Sequence, residues 1–321
     1  MLEIENLSLT VPSTDGAKAA VTNVSLHLAP GQVVGLVGES GCGKTLTAQA
    51  TLRLGEVQGV ACTSGRILIE GRDILKMDAD ALRQVRGKRI AMIFQEPMTA
   101  LNPVFTIGEQ MCDVIRLHLG LVRQAARDRA TALLRDVGLQ DASSLLSQYP
   151  GAISGGMRQR VLIAMALAPE PDYLIADEPT TALDVSVQAR IVELLKAVQR
   201  KRGLGMLLVT HDFGLVAELA DTVAVMYAGH IVESGEVRQV FDHPAHPYTR
   251  ALMACRPEAG RRGRALPVIP GQVPPPGDWP AGCRFAPRCE RAQADCNRPV
   301  AFDAWQDKGH CARCLHVGPT P

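Results

Sequence analysis

Gly38-Glu39-Ser40-Gly41-Cys42-Gly43-Lys44-Thr45 is a glycine-rich loop set between a short apolar run, Gln32 to Val37, and a helical pattern carrying Leu46, Ala48, Ala50 and Leu52. The order of strand, loop and helix is the context that a phosphate-binding loop requires, and it commits the chain to an α/β core. Glycines let successive backbone N–H groups turn inward as a nest for phosphate, and the helix start adds its positive dipole. Lys44 supplies a point charge and Thr45 a hydroxyl for Mg²⁺.

A second glycine-rich grip, Ser154-Gly155-Gly156-Met157-Arg158, begins 109 residues beyond Thr45 and precedes a long apolar helix with Val161, Leu162, Ala164, Met165 and Leu167. Taken alone, it reads equally as an N-cap before a flexible turn. Tyr173-Leu174-Ile175-Ala176-Asp177-Glu178 then places two adjacent carboxylates at the end of an apolar strand. Beside a phosphate loop, Asp177 suits Mg²⁺ and its waters, and Glu178 suits polarisation of an attacking water. His211 follows Leu207-Leu208-Val209-Thr210. A lone histidine there is more often a satisfied core or capping group than a catalyst.

The rest of the pattern is that of a folded chain of 321 residues with 46% hydrophobic content. Leu2, Ile4, Leu7, Leu9 and Val11, then Val21 to Leu28, alternate as half-buried strands of an antiparallel layer. Residues 105 to about 168 turn helical, and the strands at 173 to 176 and 205 to 210 flank an amphipathic helix, which implies a parallel sheet. With 34 basic against 33 acidic residues, the net charge of +1 offers no field for nucleic acid. No run approaches the ~18 to 20 apolar residues of a membrane span, and the start lacks a signal-peptide pattern, so a cytosolic location is expected. From Arg256 the chain becomes rich in Pro and Arg, and five of the nine cysteines fall within residues 283–321. In a reducing compartment such a cluster reads as metal binding before disulfides.

Together these motifs resemble the ATP-binding subunits of the ABC transporter superfamily, from Leu2 to about Cys255. The resemblance implies a P-loop nucleotide-binding domain with a parallel core sheet, an antiparallel β layer and a helical subdomain (about 105–168) within residues 1–255. A Pro/Arg-rich linker (256–282) and a cysteine-rich module (283–321) follow. It makes Gly38 to Thr45 the ATP loop, Thr45, Gln95 and Asp177 the Mg²⁺ residues, and Glu178, His211 and Gln95 the catalytic group. Ser154, Gly155, Gly156 and Met157 become the signature, and Asp184 in Thr181-Ala182-Leu183-Asp184 belongs to the D-loop. The signature then grips ATP held by a partner subunit in a head-to-tail dimer whose closure is the power stroke.

Pro97 to Pro103 after the Q-loop, Tyr149-Pro150 before the signature, and His246-Pro247-Tyr248-Thr249 before the tail resemble the peptide/nickel group of bacterial importers. That implies a motor for di- or oligopeptide uptake, peripheral to the cytoplasmic face of the inner membrane. Its partners would be a second, non-identical ATPase subunit, two integral membrane permease subunits and an extracytoplasmic binding protein. The same motor could serve nickel, metallophore or glutathione uptake. A soluble ABC ATPase of DNA repair or translation fits less well, because 109 residues leave no room for long heptad arms and there is one phosphate loop.

Within the peptide/nickel group, the cysteine tail resembles one that binds a [4Fe–4S] cluster in some members. Cys283, Cys289 and Cys296 supply three thiolates, with Cys314 expected as the fourth and Cys311 as the alternative. Four thiolates also suit Zn²⁺, and a tail without metal is the third reading. A tail acting as a redox or metal sensor that gates the ATPase is a further reading. Two departures carry expectations. Val11 stands where an aromatic usually stacks on adenine. Cys42 replaces a serine beside a helix start and Lys44, which predicts a lowered thiol pKa, inhibition by alkylation and protection by ATP.

Overall fold

The computed structural model describes residues 1–181, 183–255, 267–303 and 305–317, without the side chains of 97 and 98. Arg261-Arg262-Gly263-Arg264 in the expected linker, and Ala182 of the expected D-loop, lie outside the described residues. The chain divides into two compact units: Met1–His27, Val33–Leu75 and Val209–Pro321 form one, Leu28–Gln32 and Lys76–Leu208 the other.

In the first unit, strands Lys18–Leu28, Leu2–Val11, Ala61–Ile69 and Arg72–Asp73 form a four-stranded sheet in that order. Leu2–Val11 runs antiparallel to Ala61–Ile69, with Ile4 opposite Ile67, and its register shifts between Glu5 and Leu9. The shift accounts for the sequence pattern. Leu2 and Ile4 are buried on one parity, Leu7 and Leu9 on the other. Asn6, at φ 48°, supplies the extra residue that resets the alternation. Gly65 lies against it, where a Cβ would come within 2.5 Å of the Asn6 carbonyl. Strand Ala61–Ile69, exposed along its first six residues, lacks the apolar alternation that marks its partner.

The strand Val33–Val37 is buried at every residue and pairs in parallel with Thr222–Tyr227. Asp221 ties the pair at its start, accepting from the Val33 N–H at 2.8 Å while its own N–H donates to the Val33 carbonyl at 2.9 Å. Thr222–Tyr227 pairs antiparallel with His230–Glu236, which pairs in turn with His310–Ala312, and that with Trp305–Asp307. The cysteine-rich tail thus adds two strands to this sheet. Glu233, fully buried, anchors them: it accepts from the N–H groups of Ala245 and His246 at 2.7 and 2.9 Å and from His310 Nε2 at 2.6 Å. Those partners are what makes a buried carboxylate tolerable.

In the second unit, Ile90–Ile93 pairs in parallel with Tyr173–Asp177, both wholly buried. Helix Ile107–Leu119 starts at a capping box between Thr106 and Glu109. Arg123–Asp136 and Gly155–Leu167 follow, and Val185–Arg202 stops at Gly203, whose φ of 63° ends the helix. Among the described residues no helix is long and apolar enough to cross a membrane.

His246 is buried, and its Nδ1 accepts from the Tyr248 N–H at 3.1 Å, so the ring is neutral at that nitrogen. Burial, followed by the opposing attraction of Glu233, brings its pKa from 6.5 to about 4. The unfolded chain therefore binds one more proton between those values, and stability is lost as pH falls through that window, by about 1.4 kcal/mol per pH unit at most. Urea unfolding at pH 7 and pH 5 should show a smaller loss in His246→Asn than in the natural chain; equal losses would contradict this.

Candidate functional site

The phosphate loop leaves the carboxyl end of Val33–Val37 and enters helix Lys44–Ala50. Two of its glycines are required by their surroundings. At Gly38 (φ 155°) a Cβ would lie 2.1 Å from the Met226 carbonyl, and at Gly43 (φ 107°) 2.8 Å from the Met226 methyl. The helix has no side-chain cap and no acidic residue in its first turn, so backbone amides and dipole are left to serve an anion. Lys44 is 5% exposed, with Nζ donating to the carbonyls of Gly38 at 2.8 Å and Glu39 at 3.0 Å. Thr45 is half-buried in the first turn.

Two residues not singled out by the motif hold Glu39. Its N–H donates to the Tyr248 hydroxyl at 2.9 Å, and its carboxylate accepts from both terminal nitrogens of Arg288 at 2.8 and 3.0 Å. Tyr248 lies in the His246-Pro247-Tyr248-Thr249 motif, so a signal was present. Nothing in the spacing of Arg288 marks it. His211, in the same unit, is exposed and stands before Asp212, which caps helix Phe213–Leu219 through Gly214 and Leu215. Val11 closes its strand half-buried.

The expectation for Cys42 is overturned. The thiol is 1% exposed, and burial raises its pKa by more than the nearby Lys44 lowers it. A helix start and a lysine activate a thiol only when solvent also reaches it.

The second unit carries the other half of the motif residues. Asp177 ends a buried strand at 1% exposure, and Glu178 follows at φ 47°, in the left-handed region that a side chain rarely adopts. Seven other described residues with side chains share that region, Asn6, Glu70 and Glu170 among them, so the angle sets the turn after the strand without marking a role. Glu178 Oε2 accepts from Gln95 Nε2 at 3.3 Å and from Thr181 Oγ1 at 2.7 Å, so these three side chains converge. Gln159 Nε2 donates to the Pro179 carbonyl at 2.7 Å and fixes the turn behind them.

Ser154 caps helix Gly155–Leu167 by accepting from the Met157 N–H at 3.3 Å, and the serine remains exposed. Gly156 faces Val187, where a Cβ would meet its methyl at 2.7 Å. Asp184 caps the helix carrying Val187 through the Val187 N–H, and its bonds from Ser186 and Val187 lower its pKa. Ser154 and Asp184, expected in the signature and the D-loop, thus cap two neighbouring helix starts.

The thiols of Cys283, Cys289 and Cys296 feel one another electrostatically, as Cys314 does Cys289 and Cys296, whereas Cys311 sits in a strand and feels Asp303 instead. Backbone N–H groups reach the four sulfurs, from Phe285 and Ala286, Arg291, Gln293 and His316 respectively. Burial pushes Cys283 up to about 11. Among the described residues Asp295, Cys296 and His316 are the group of three such side chains whose ligand atoms lie within 4.8 Å of one another, and no three of the cysteine sulfurs are gathered that closely.

Two family models match, "ABC transporter" over residues 21–181 and "Oligopeptide/dipeptide transporter, C-terminal region" over 232–296. Among curated proteins, the chain is 47% identical to the probable D,D-dipeptide transport ATP-binding protein of Escherichia coli, covering 98% of this chain and 96% of that one. A putative peptide import ATP-binding protein of Brucella abortus is 48% identical, covering 100% and 96%. Among solved structures, the cassette MJ0796 in a post-hydrolysis state bound to ADP and Pi superposes at TM-score 0.66 with 27% identity, over 74% of this chain and 99% of that one. The cbiO1 subunit of a Clostridium perfringens ABC transporter complex gives 0.64 at 26%, over 75% and 90%.

Iodoacetamide labelling followed by mass spectrometry should modify the exposed Cys62 at least ~100-fold faster than Cys42 in the folded protein, with parity in urea. Comparable native rates would restore the reactive thiol.

Proposed function

This chain belongs to the ABC transporter family of ATP-binding proteins, and we propose that it is the ATP-hydrolysing motor of an importer of di- or oligopeptides. The observation that carries the hydrolytic part is the Glu178 carboxylate, which follows the buried Asp177 at the end of its strand and accepts from Gln95 and Thr181. The peptide cargo is supported by the full-length relatives and by the oligopeptide/dipeptide match over the tail.

ATP enters the loop by offering phosphate oxygens to Lys44, whose ammonium exchanges the Gly38 and Glu39 carbonyls for them, and to the amides of Gly41 to Thr45. The hydroxyl of Thr45, the amide oxygen of Gln95 and the carboxylate of Asp177 are hard oxygen donors of the kind Mg²⁺ takes, and they would hold it. The ion, when bound, supplies charge neutralisation at the β- and γ-phosphates. Glu178 accepts a proton from the attacking water, and His211 donates to the γ-phosphate. Ser154 to Met157 offer their helix start to ATP on a second ATPase subunit, with Asp184 beside them. We assign that subunit as non-identical, and the assembly as completed by two permeases and an extracytoplasmic binding protein at the cytoplasmic face of the inner membrane. Phe94, Val104, Phe105 and Tyr149, exposed in the unit of Gln95, are the apolar surface offered to the permeases.

For the tail, we assign Cys283, Cys289, Cys296 and Cys314 as the thiolates that would hold a [4Fe–4S] cluster, a reading supported by their electrostatic influence on one another and by the N–H donors to their sulfurs, with Cys311 as the alternative to Cys314. Metal analysis of purified Cys314→Ser should show its loss and that of Cys311→Ser its retention; inorganic sulfide accompanying iron supports the cluster, and zinc alone replaces it.

The function is tested in the reconstituted transporter with a peptide panel. Peptides bound by the receptor should stimulate ATP turnover, and Glu178→Gln should lower turnover by ~10²- to 10⁴-fold while ATP binding persists. Stimulation by nickel, metallophore or glutathione alone would replace the cargo.

A further inference from the structure

We infer that Arg288, in the cysteine-rich tail, is a positioning residue for nucleotide: it clamps Glu39 and so sets the phosphate loop. The inference deepens the ATP-site reading and rests on it.

Arg288 lies between Cys283 and Cys289 in sequence, 249 residues from Glu39, yet its side chain is 5% exposed and meets the loop directly. Every nitrogen of the guanidinium is used. Nε donates to the Pro270 carbonyl at 2.7 Å, one terminal nitrogen to Glu39 Oε2 at 2.8 Å and the Tyr227 hydroxyl at 3.4 Å, the other to Glu39 Oε1 at 3.0 Å and the Ile269 carbonyl at 3.4 Å. The fork therefore has one allowed pose, and a bidentate carboxylate in that pose is fixed with it.

The tail segment itself is pinned. Phe285 packs edge-on to Tyr227 and against Tyr248, and Arg284 stacks on Trp279 and bonds the Ala228 carbonyl and Thr22. Glu39 is then held at three points, its carboxylate by Arg288, its N–H by Tyr248 and its carbonyl by Lys44.

Two consequences follow for ATP. The clamp orders the first turn of the nest before nucleotide arrives, which lowers the ordering cost of binding. It also neutralises a carboxylate, 28% exposed, that would otherwise repel a polyanion entering the same loop. The second effect distinguishes a positioning role from a merely structural one, because it vanishes when the carboxylate is removed.

The test measures binding of a fluorescent ATP analogue, and KM and kcat for ATP, in the full chain with Arg288→Ala, Arg288→Lys and Arg288→Ala/Glu39→Gln, with Lys44→Ala as control. Arg288→Ala should weaken binding about tenfold, equivalent to about 1.4 kcal/mol, and the loss should fall in KM far more than in kcat. Removing the Glu39 charge in the double variant should recover most of it, and Arg288→Lys should lie between. A folded Arg288→Ala of natural affinity, or a double variant as weak as the single one, would overturn the inference. Unaltered binding in Lys44→Ala would instead overturn the reading of the loop as the ATP site.

Discussion

The burial of the Lys44 ammonium against carbonyls of its own loop is the constraint on which the rest of the site depends. A charge at 5% exposure is tolerated only with such partners, and the partners exist because Gly38 takes a backbone angle no other residue reaches without striking Met226. The loop can turn there because Val33–Val37 delivers it from a fully buried strand locked at its start by Asp221. Among the described residues the hydrogen-bond partners of the ammonium are two carbonyls and the Cys42 thiol, a set without a carboxylate that an incoming anion can replace.

Acidic groups in both units are likewise held by defined partners. Glu39 is neutralised by an arginine from the tail, Glu233 is hydrogen-bonded by two backbone amides and His310, and Glu178 accepts from an amide and a hydroxyl. The tail is therefore not an appendage: its strands extend the sheet that carries the phosphate loop, and its arginines brace that loop and the adjacent turn.

Much of this was legible beforehand because the relevant chemistry is local. A glycine loop between strand and helix, two carboxylates at a strand end, and a serine before two glycines each declare a geometry within a few residues. The four-stranded layer was legible only in part: the Asn6 bulge breaks the alternation of its first strand, and Ala61–Ile69 is too exposed to display one. What was misread or missed depends on long-range packing. Cys42 has the neighbours of a reactive thiol but not the solvent, and Arg288 reaches Glu39 across 249 residues by a fold that no spacing encodes. Cys311 lies in a strand paired with Ser234, a partner that its sequence spacing does not announce.

The central claim is that both glycine-rich grips hold nucleotide in the working machine, Gly38 to Thr45 on one ATP and Ser154 to Met157 on another. Hydrogen exchange of backbone amides in the assembled transporter, with Glu178→Gln to prevent turnover, tests it directly. On adding MgATP the account predicts slowed exchange at Gly41 to Thr45 and at Gly155 to Met157 together. Protection confined to the first segment, or absent from both, would contradict it.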